Sequence, residues 1–189
     1  MTTANGALLE RKSSSSIQIS ERLTWQEALL LVGLGAAVVA IHAAFRWDLK
    51  LPGYHGVEWM ALLIIGRATS RYRWAGTISS IGAGGLALLP VWGFGDPFAW
   101  LIYFLPGPAM DVLYMLGLRW QNNIWFLSLV GGLALATKPL ARVGISLVTG
   151  WPYGSLFYGV AYPLATHILF GLMGAFLGGG LVFVLRRRQ

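Results

Sequence analysis

Long apolar blocks occupy most of the chain, and short polar gaps separate them. The stretch 28–185 holds only 12 Asp, Glu, Lys or Arg residues. A helix needs about 20 mainly apolar residues to cross the hydrocarbon core of a bilayer. The pattern therefore predicts an all-α membrane protein, a six-transmembrane-helix bundle with spans at 25–45, 57–72, 74–92, 97–118, 124–149 and 161–185.

The second and fourth blocks are the least regular. In the second, only residues 57–66 are clearly apolar, and Arg67 has to extend along the helix to reach the interface. In the fourth, the Pro-Gly-Pro run at 106–108 predicts a kinked or partly unwound helix. Thr24 and Glu27 form a capping box that marks the start of the first helix.

Basic residues fall in alternate gaps between the apolar blocks, which predicts the orientation of the chain in the membrane. Six spans place ten of them on one side: Arg11, Lys12, Arg22, Arg67, Arg71, Arg73, Arg119, Arg186, Arg187 and Arg188. The other side holds only Arg46 and Lys50. Because cytoplasmic loops are rich in Lys and Arg, both termini are expected in the cytoplasm of a bacterial or archaeal cell. A re-entrant second segment leaves five spans and breaks this pattern, so six are favoured.

Composition agrees with a membrane domain at 23–189 and a disordered cytoplasmic tail at 1–22. Charged residues make up 11% of the chain, against about 25% in soluble domains. The net charge of +7 lies at the ends of apolar blocks, which favours membrane topology over nucleic-acid binding. Cysteine is absent and the three His are far apart, so neither a metal site nor another cofactor is expected.

Several ionisable residues share one depth in the predicted membrane. His42 and Lys138 each lie 14 residues into a span that starts at the cytoplasmic side, roughly 21 Å deep. His167 lies about 9 Å below the outer edge, in the same layer, with Glu58 just above it. Arg142 is one turn beyond Lys138. Each can be explained alone, as a hydrogen-bonded His, a charge that extends outward or an ion pair, but together they predict a polar cavity open to the outside.

Asp111 lies outside that layer. It is predicted roughly 21 Å below the outer edge, nearer the cytoplasm, with Tyr114 one turn further on. Two interpretations stay open. Asp111 and Tyr114 either close the floor of the substrate cavity, or Asp111 pairs with Arg67 as a structural bridge.

Small residues and aromatic residues also cluster. In the first span they form one face: Gly33, Ala36, Ala37, Ala40 and Ala44. Such a face lets another helix approach closely, here one of a partner subunit. In the sixth span, Gly171, Gly174 and Gly178 serve either the same purpose or packing inside the bundle. The outer loops are rich in Trp, Tyr, Gly and Pro, which indicates an interfacial belt or the mouth of a ligand site.

The layout resembles the substrate-binding S components of energy-coupling-factor (ECF) vitamin transporters. The resemblance rests on the ladder Ala36-x-x-x-Ala40-x-x-x-Ala44, on the outer loop with Pro52-Gly53 before a short second helix, and on a glycine-rich last helix that ends in arginines. It covers residues 25–188 at the level of layout. No subtype signature is matched, so the nutrient stays open.

The resemblance implies a capture subunit that performs no chemistry. Trp59, Trp92, Trp151 and Tyr162 would stack on a heteroaromatic ligand. His55, Glu58, Lys138, Arg142 and His167 would supply directional contacts. A transmembrane coupling subunit would dock on the first helix, and separate subunits would hydrolyse ATP, because this chain has no GxxxxGK[ST] loop.

Two other functions remain possible from the sequence. One is a structural subunit of a larger membrane complex, in which the intramembrane charges serve assembly. The other is a small lipid-modifying enzyme that uses Asp111 or Glu58 with His167. The enzyme is the least favoured, because the chain shows no nucleophile–base spacing and no metal motif.

Overall fold

A computed structural model describes residues 20–45, 51–92, 95–157 and 159–188. These ranges consist of helices and connecting loops and contain no strand, apart from one isolated backbone bridge between Ser20 and Tyr72. Most of the predicted cytoplasmic tail, together with residues 46–50 of the first outer loop, lies outside the described residues. The prediction of an all-α membrane protein is confirmed.

Eight α-helices follow one another in the described ranges. They are α1 Trp25–Ala44, α2 Gly56–Thr69, α3 Ala75–Ala87, α4 Ala99–Phe104, α5 Pro106–Leu116, α6 Ile124–Leu135, α7 Thr137–Thr149 and α8 Ala161–Arg187. Short 3-10 turns occur at Pro90–Trp92, Leu118–Trp120 and Gly154–Leu156. The capping box at the start of α1 is half formed, since the Thr24 side chain accepts a hydrogen bond from the Glu27 backbone N–H.

Four helical stretches are long and apolar enough to cross a membrane: α1, α4 with α5, α6 with α7, and α8. The chain is therefore a membrane-embedded, multi-pass protein. The helices in the second and third predicted spans are shorter than expected, with 14 residues in α2 and 13 in α3. At 1.5 Å per residue these are about 20 Å long. α3 ends at Ala87, shortly before Pro90, which disfavours a helical backbone at the preceding residue Leu89.

Two of the long stretches are kinked where proline removes a backbone donor. α4 passes into α5 at Leu105, directly before Pro106, as the sequence predicts. α6 passes into α7 at Ala136, three residues before Pro139. Because Pro139 has no N–H, the carbonyl of Leu135 lacks its usual helical donor. This kink faces the cavity described below.

Glycines set the close contacts between α8 and its neighbours. A Cβ added at Gly174 would lie 2.2 Å from the Val57 carbonyl oxygen, and one at Gly178 would lie 2.3 Å from that of Ala61. α8 therefore packs directly on the backbone of α2. Of the two interpretations of this glycine face, packing inside the bundle is the one the structure supports.

α1 packs against α3 through the side of the helix that carries Gly35. Gly35 lies against the backbone of Ser79 in α3, and Leu31, Val38 and Val39 are buried on the same side. The predicted docking residues lie elsewhere on the helix. Gly33 and Ala44 are exposed, whereas Ala36, Ala37 and Ala40 are partly buried. With 3.6 residues per turn, Gly33, Ala37, Ala40 and Ala44 form the face of α1 opposite α3.

Candidate functional site

A polar cavity of about 220 Å³ lies where α1, α7, α8 and the loop before α2 meet. Five ionisable side chains line it: His42, His55, Lys138, Arg142 and His167. Four of the groups predicted to share one depth do meet here, namely His42, Lys138, Arg142 and His167, whereas the fifth, Glu58, does not line the cavity. Asp111, Tyr114 and the aromatic residues expected at the ligand mouth do not line this cavity.

Lys138 lies on the innermost wall, supported by aromatic rings. Its side chain is buried, with 7% exposed. Nζ lies 2.8 Å from the centroid of the Trp59 ring and 4.7 Å from that of Tyr103. The two rings stack on each other with centroids 4.6 Å apart. The electron-rich ring faces attract the ammonium group without neutralising it.

The expectation that Trp59 stacks on a ligand needs correction. Its ring is 1% exposed, and Lys138 covers its face. Trp59 therefore supports Lys138 and offers no free surface. Tyr103, which sequence reasoning missed, shares this role. No sequence signal singles out Tyr103, because it lies within an apolar run and reaches the site only through the α4–α5 geometry.

A stack of three rings forms the side wall. The His55 ring lies between His42 and Tyr54, with centroid distances of 3.8 and 3.9 Å. His55 Nδ1 lies 2.5 Å from Glu58 Oε1, a charge-assisted hydrogen bond within one turn. Glu58 itself is absent from the cavity wall. Its predicted contact with a ligand stays a prediction, and the contact that the structure shows is the one with His55.

His167 packs directly against the loop at 51–55. His167 is buried, and its Nδ1–H donates to the Pro163 carbonyl at 2.6 Å, which fixes the ring orientation. Gly53 has a φ of +84° and lies directly on this ring. A Cβ there would approach the ring to 2.8 Å. Glycine is needed for both reasons, and it lets the loop cover the cavity closely.

Arg142 connects the cavity to the loop after α7. Its Nη1 donates to Ser155 Oγ at 3.4 Å, and its guanidinium carbon lies 5.7 Å from the Tyr153 ring centroid. The Tyr153 hydroxyl donates to Asp96 Oδ1 at 3.3 Å. Burial, helped by the nearby Asp96 charge and this hydrogen bond, raises the pKa of Tyr153 to about 12.

The cavity holds two basic side chains, Lys138 and Arg142, and the nearby carboxylates of Glu58 and Asp96 form no ion pair with them. Within the described ranges, no Asp or Glu oxygen lies within 4.0 Å of Lys138 or Arg142. The Arg142 Nε is buried and has no hydrogen-bond partner there. Two cations next to a polar space, without a bound carboxylate, can bind an anionic group.

The other aromatic residues expected at the mouth lie apart from the cavity. Trp151 is 36% exposed and packs edge-on against Phe98, with ring centroids 6.2 Å apart. Tyr162 is 41% exposed. The Trp92 side chain lies outside the described residues. Trp151 and Tyr162 do not line the cavity, so their stacking on a ligand stays a prediction, and of the loop aromatics the half-buried Tyr54 does line it.

Asp111 belongs to a second, closed cluster. Its Oδ1 accepts from the Gly76 N–H at 3.0 Å, and its Oδ2 accepts from the Thr77 N–H at 2.7 Å. The Thr77 hydroxyl adds a third bond at 2.8 Å. These contacts satisfy the exposed donors at the start of α3. Arg67 Nε lies 3.6 Å from Asp111 Oδ1, so the pair forms a structural bridge.

Tyr114 lies in the same cluster. The guanidinium carbon of Arg67 is 4.3 Å from the Tyr114 ring centroid, and Arg67 Nη1 also donates to the Tyr72 carbonyl. Asp111 and Tyr114 therefore lie apart from the polar cavity, and their contacts do not support the predicted role in substrate binding. Of the two interpretations of Asp111, the structural bridge is the one the structure supports.

Comparisons with protein-family models, with curated proteins and with solved structures give no match for this chain. Within the described ranges, no group of three or more His, Asp or Glu side chains is arranged to hold a metal ion. The functional argument therefore rests on the geometry and charge of the cavity.

Proposed function

We propose that the chain is the substrate-capture subunit of an ATP-driven importer of the ECF type. It would take up a small vitamin-like or heteroaromatic nutrient. The observation that carries this proposal is the pair of buried Lys138 and half-buried Arg142, beside a cavity with no carboxylate in ion-pair range among the described residues. A buried charge without a partner is costly, so a ligand that neutralises it gains affinity.

The proposed topology has six spans, both termini in the cytoplasm, and the cavity opening to the outside. α2 and α3 would be short second and third spans. Their length is compatible with this role, because the bilayer can thin locally around short helices. The charge distribution supports the orientation, since Arg186 and Arg187 end α8 while the cavity lies near its start.

The proposed partner is a transmembrane coupling subunit that docks on α1. The face formed by Gly33, Ala37, Ala40 and Ala44 lies opposite α3, and no atom lies within 4 Å of a Cβ added at Gly33. Small side chains allow a partner helix to approach closely. Separate ATPase subunits would supply the energy, and reorientation of the bundle would release the nutrient.

Ligand-induced stabilisation tests the capture role. The purified protein in lipid nanodiscs is expected to melt at a higher temperature with one class of nutrient from a broad panel. Lys138→Met should weaken binding at least tenfold, because it removes a charge-assisted contact. Arg119→Met, a change at an exposed cation, should have no effect. If no nutrient stabilises the protein and it copurifies tightly with non-ATPase subunits, the structural-subunit alternative is favoured.

Copurification tests the docking face. Ala40→Trp should abolish copurification with the coupling subunit and leave ligand binding intact, because the bulky ring blocks close helix approach. Ala165→Trp, at an exposed position of α8, is the matched control. Retained copurification of the Ala40 variant would argue against α1 as the docking helix.

A further inference from the structure

A second space adjoins the polar cavity and differs from it in chemistry. It is an apolar groove of about 480 Å³ between α1, α2 and α8. Six apolar side chains line it: Ile41, Phe45, Val57, Ala61, Phe170 and Leu177. Its volume lies in the range of small-molecule sites, roughly 300–1,000 Å³.

The two spaces share a wall. Tyr54 and His55 line both the cavity and the groove. Both residues lie in the loop directly before α2, so their side chains separate the two spaces. A ligand that displaces these side chains would reach from the cavity into the groove.

The charges on either side of this wall have opposite signs. Lys138 and Arg142 lie on the cavity side, whereas the carboxylate of Glu58 lies on the groove side, where it holds His55. An anionic group is attracted to the cavity and repelled from the groove. An uncharged hydrocarbon chain has the opposite preference, because the groove is lined mainly by apolar side chains.

From this arrangement we propose that the ligand of this site is an amphipathic organic anion. Its carboxylate or phosphate lies between Lys138 and Arg142, and its apolar chain passes Tyr54 and His55 into the groove. The inference rests on the proposed capture function and narrows the substrate class, because it requires an apolar chain in addition to a polar head.

Chain-length series of defined compounds test the proposal. Hexanoate, octanoate and decanoate, the matching alkyl phosphates, and the matching alcohols would be titrated by calorimetry into the protein in nanodiscs of fixed lipid composition. For the anions, Kd should fall about fourfold per added methylene, because each buries further apolar surface. The alcohols should bind far more weakly. The ratio between the carboxylate and phosphate series identifies the head group.

Two variants separate the head site from the groove. Ala61→Leu partly fills the groove, so it should flatten the chain-length dependence while acetate or inorganic phosphate binds as before. Ala165→Leu, the same change at an exposed site on α8, should leave the dependence intact. Lys138→Met should weaken every anion at all chain lengths.

Three outcomes would overturn the inference. Saturable binding of anions without any chain-length dependence would leave the capture function standing and remove the groove from it. Equal affinity for alcohols and anions, insensitive to Lys138→Met, would mean that the groove merely holds bilayer lipid. The absence of binding by any short or long anion, together with no stabilising nutrient, would defeat the capture function as well.

Discussion

The two groups of buried charges in this bundle differ in one respect. At Asp111, each carboxylate oxygen accepts a hydrogen bond, and Arg67 lies alongside as the countercharge. At Lys138, the nearest groups are the rings of Trp59 and Tyr103, and a cavity takes the place of a carboxylate. The first group contains its own countercharge, although Arg67 Nε has no hydrogen-bond partner, whereas Lys138 has no carboxylate in ion-pair range among the described residues.

This difference separates structural from binding charges. A buried ion pair gains most of its energy from its partner, so its loss appears in the stability of the protein. A buried charge without a carboxylate partner does not stabilise the fold, so its loss is expected to appear in ligand affinity. Substitutions at the two clusters should therefore affect different measurements.

Asp111→Asn should have the largest effect on stability. It leaves Arg67 buried without a countercharge and weakens the cap at the start of α3, which together cost about 3–5 kcal/mol. Unfolding in mixed micelles with increasing denaturing detergent measures the loss. Asp96→Asn, the same change at a loop carboxylate, should cost much less. An Asp111 variant as stable as the wild type would show that this cluster is not structural.

Gly53→Ala should have an intermediate effect at the cavity. The φ of +84° strains any side chain, at a cost of about 1–2 kcal/mol. The added methyl group also displaces the His167 ring, so ligand affinity should fall. Gly150→Ala is the control, because Gly150 has a φ of +72° and open space around it. The control should lose stability only, and equal ligand affinity in both variants would show that the Gly53–His167 contact is unimportant.

Lys138→Met should leave the free energy of unfolding within about 0.5 kcal/mol of the wild type, or raise it. The substitution removes a charge without a carboxylate partner, while the thioether still packs on Trp59. Chemical unfolding of the ligand-free protein tests this. A loss as large as that of Asp111→Asn would show that Lys138 serves the fold, and the contrast between the clusters would be lost.

The sequence predicts the helical class well, because apolar block length and basic gaps follow directly from the physics of the bilayer. It also predicts that His42, Lys138, Arg142 and His167 meet, since helical rise converts position into depth. The depth of a residue in the membrane does not determine the direction in which its side chain points around the helix axis. This is why Glu58, predicted at the same layer, faces the groove, and why Trp59 lies behind Lys138.

Asp111 shows more clearly that the depth of a residue does not determine the contacts of its side chain. Its position along the helix agrees with either a cavity floor or a bridge to Arg67. The decision depends on the start of α3, whose free N–H groups at Gly76 and Thr77 reach the carboxylate. That contact joins residues about 35 positions apart, and no local pattern encodes it.

The smallest predicted effect concerns Tyr153, at the edge of the cavity. Burial and Asp96 raise its pKa to about 12, so its neutral form is favoured in the folded protein. The resulting stability is present below the unfolded pKa near 10 and is lost as the pH rises toward 12.

Asp96→Asn should return the pKa of Tyr153 toward 10, because it removes a negative charge next to the phenolate. The phenolate absorbance of each protein minus that of its Tyr153→Phe variant isolates this group among the seven tyrosines. An unchanged pKa would mean that Asp96 does not act on Tyr153, and would leave Asp96 free to offset the charge of Arg142 instead.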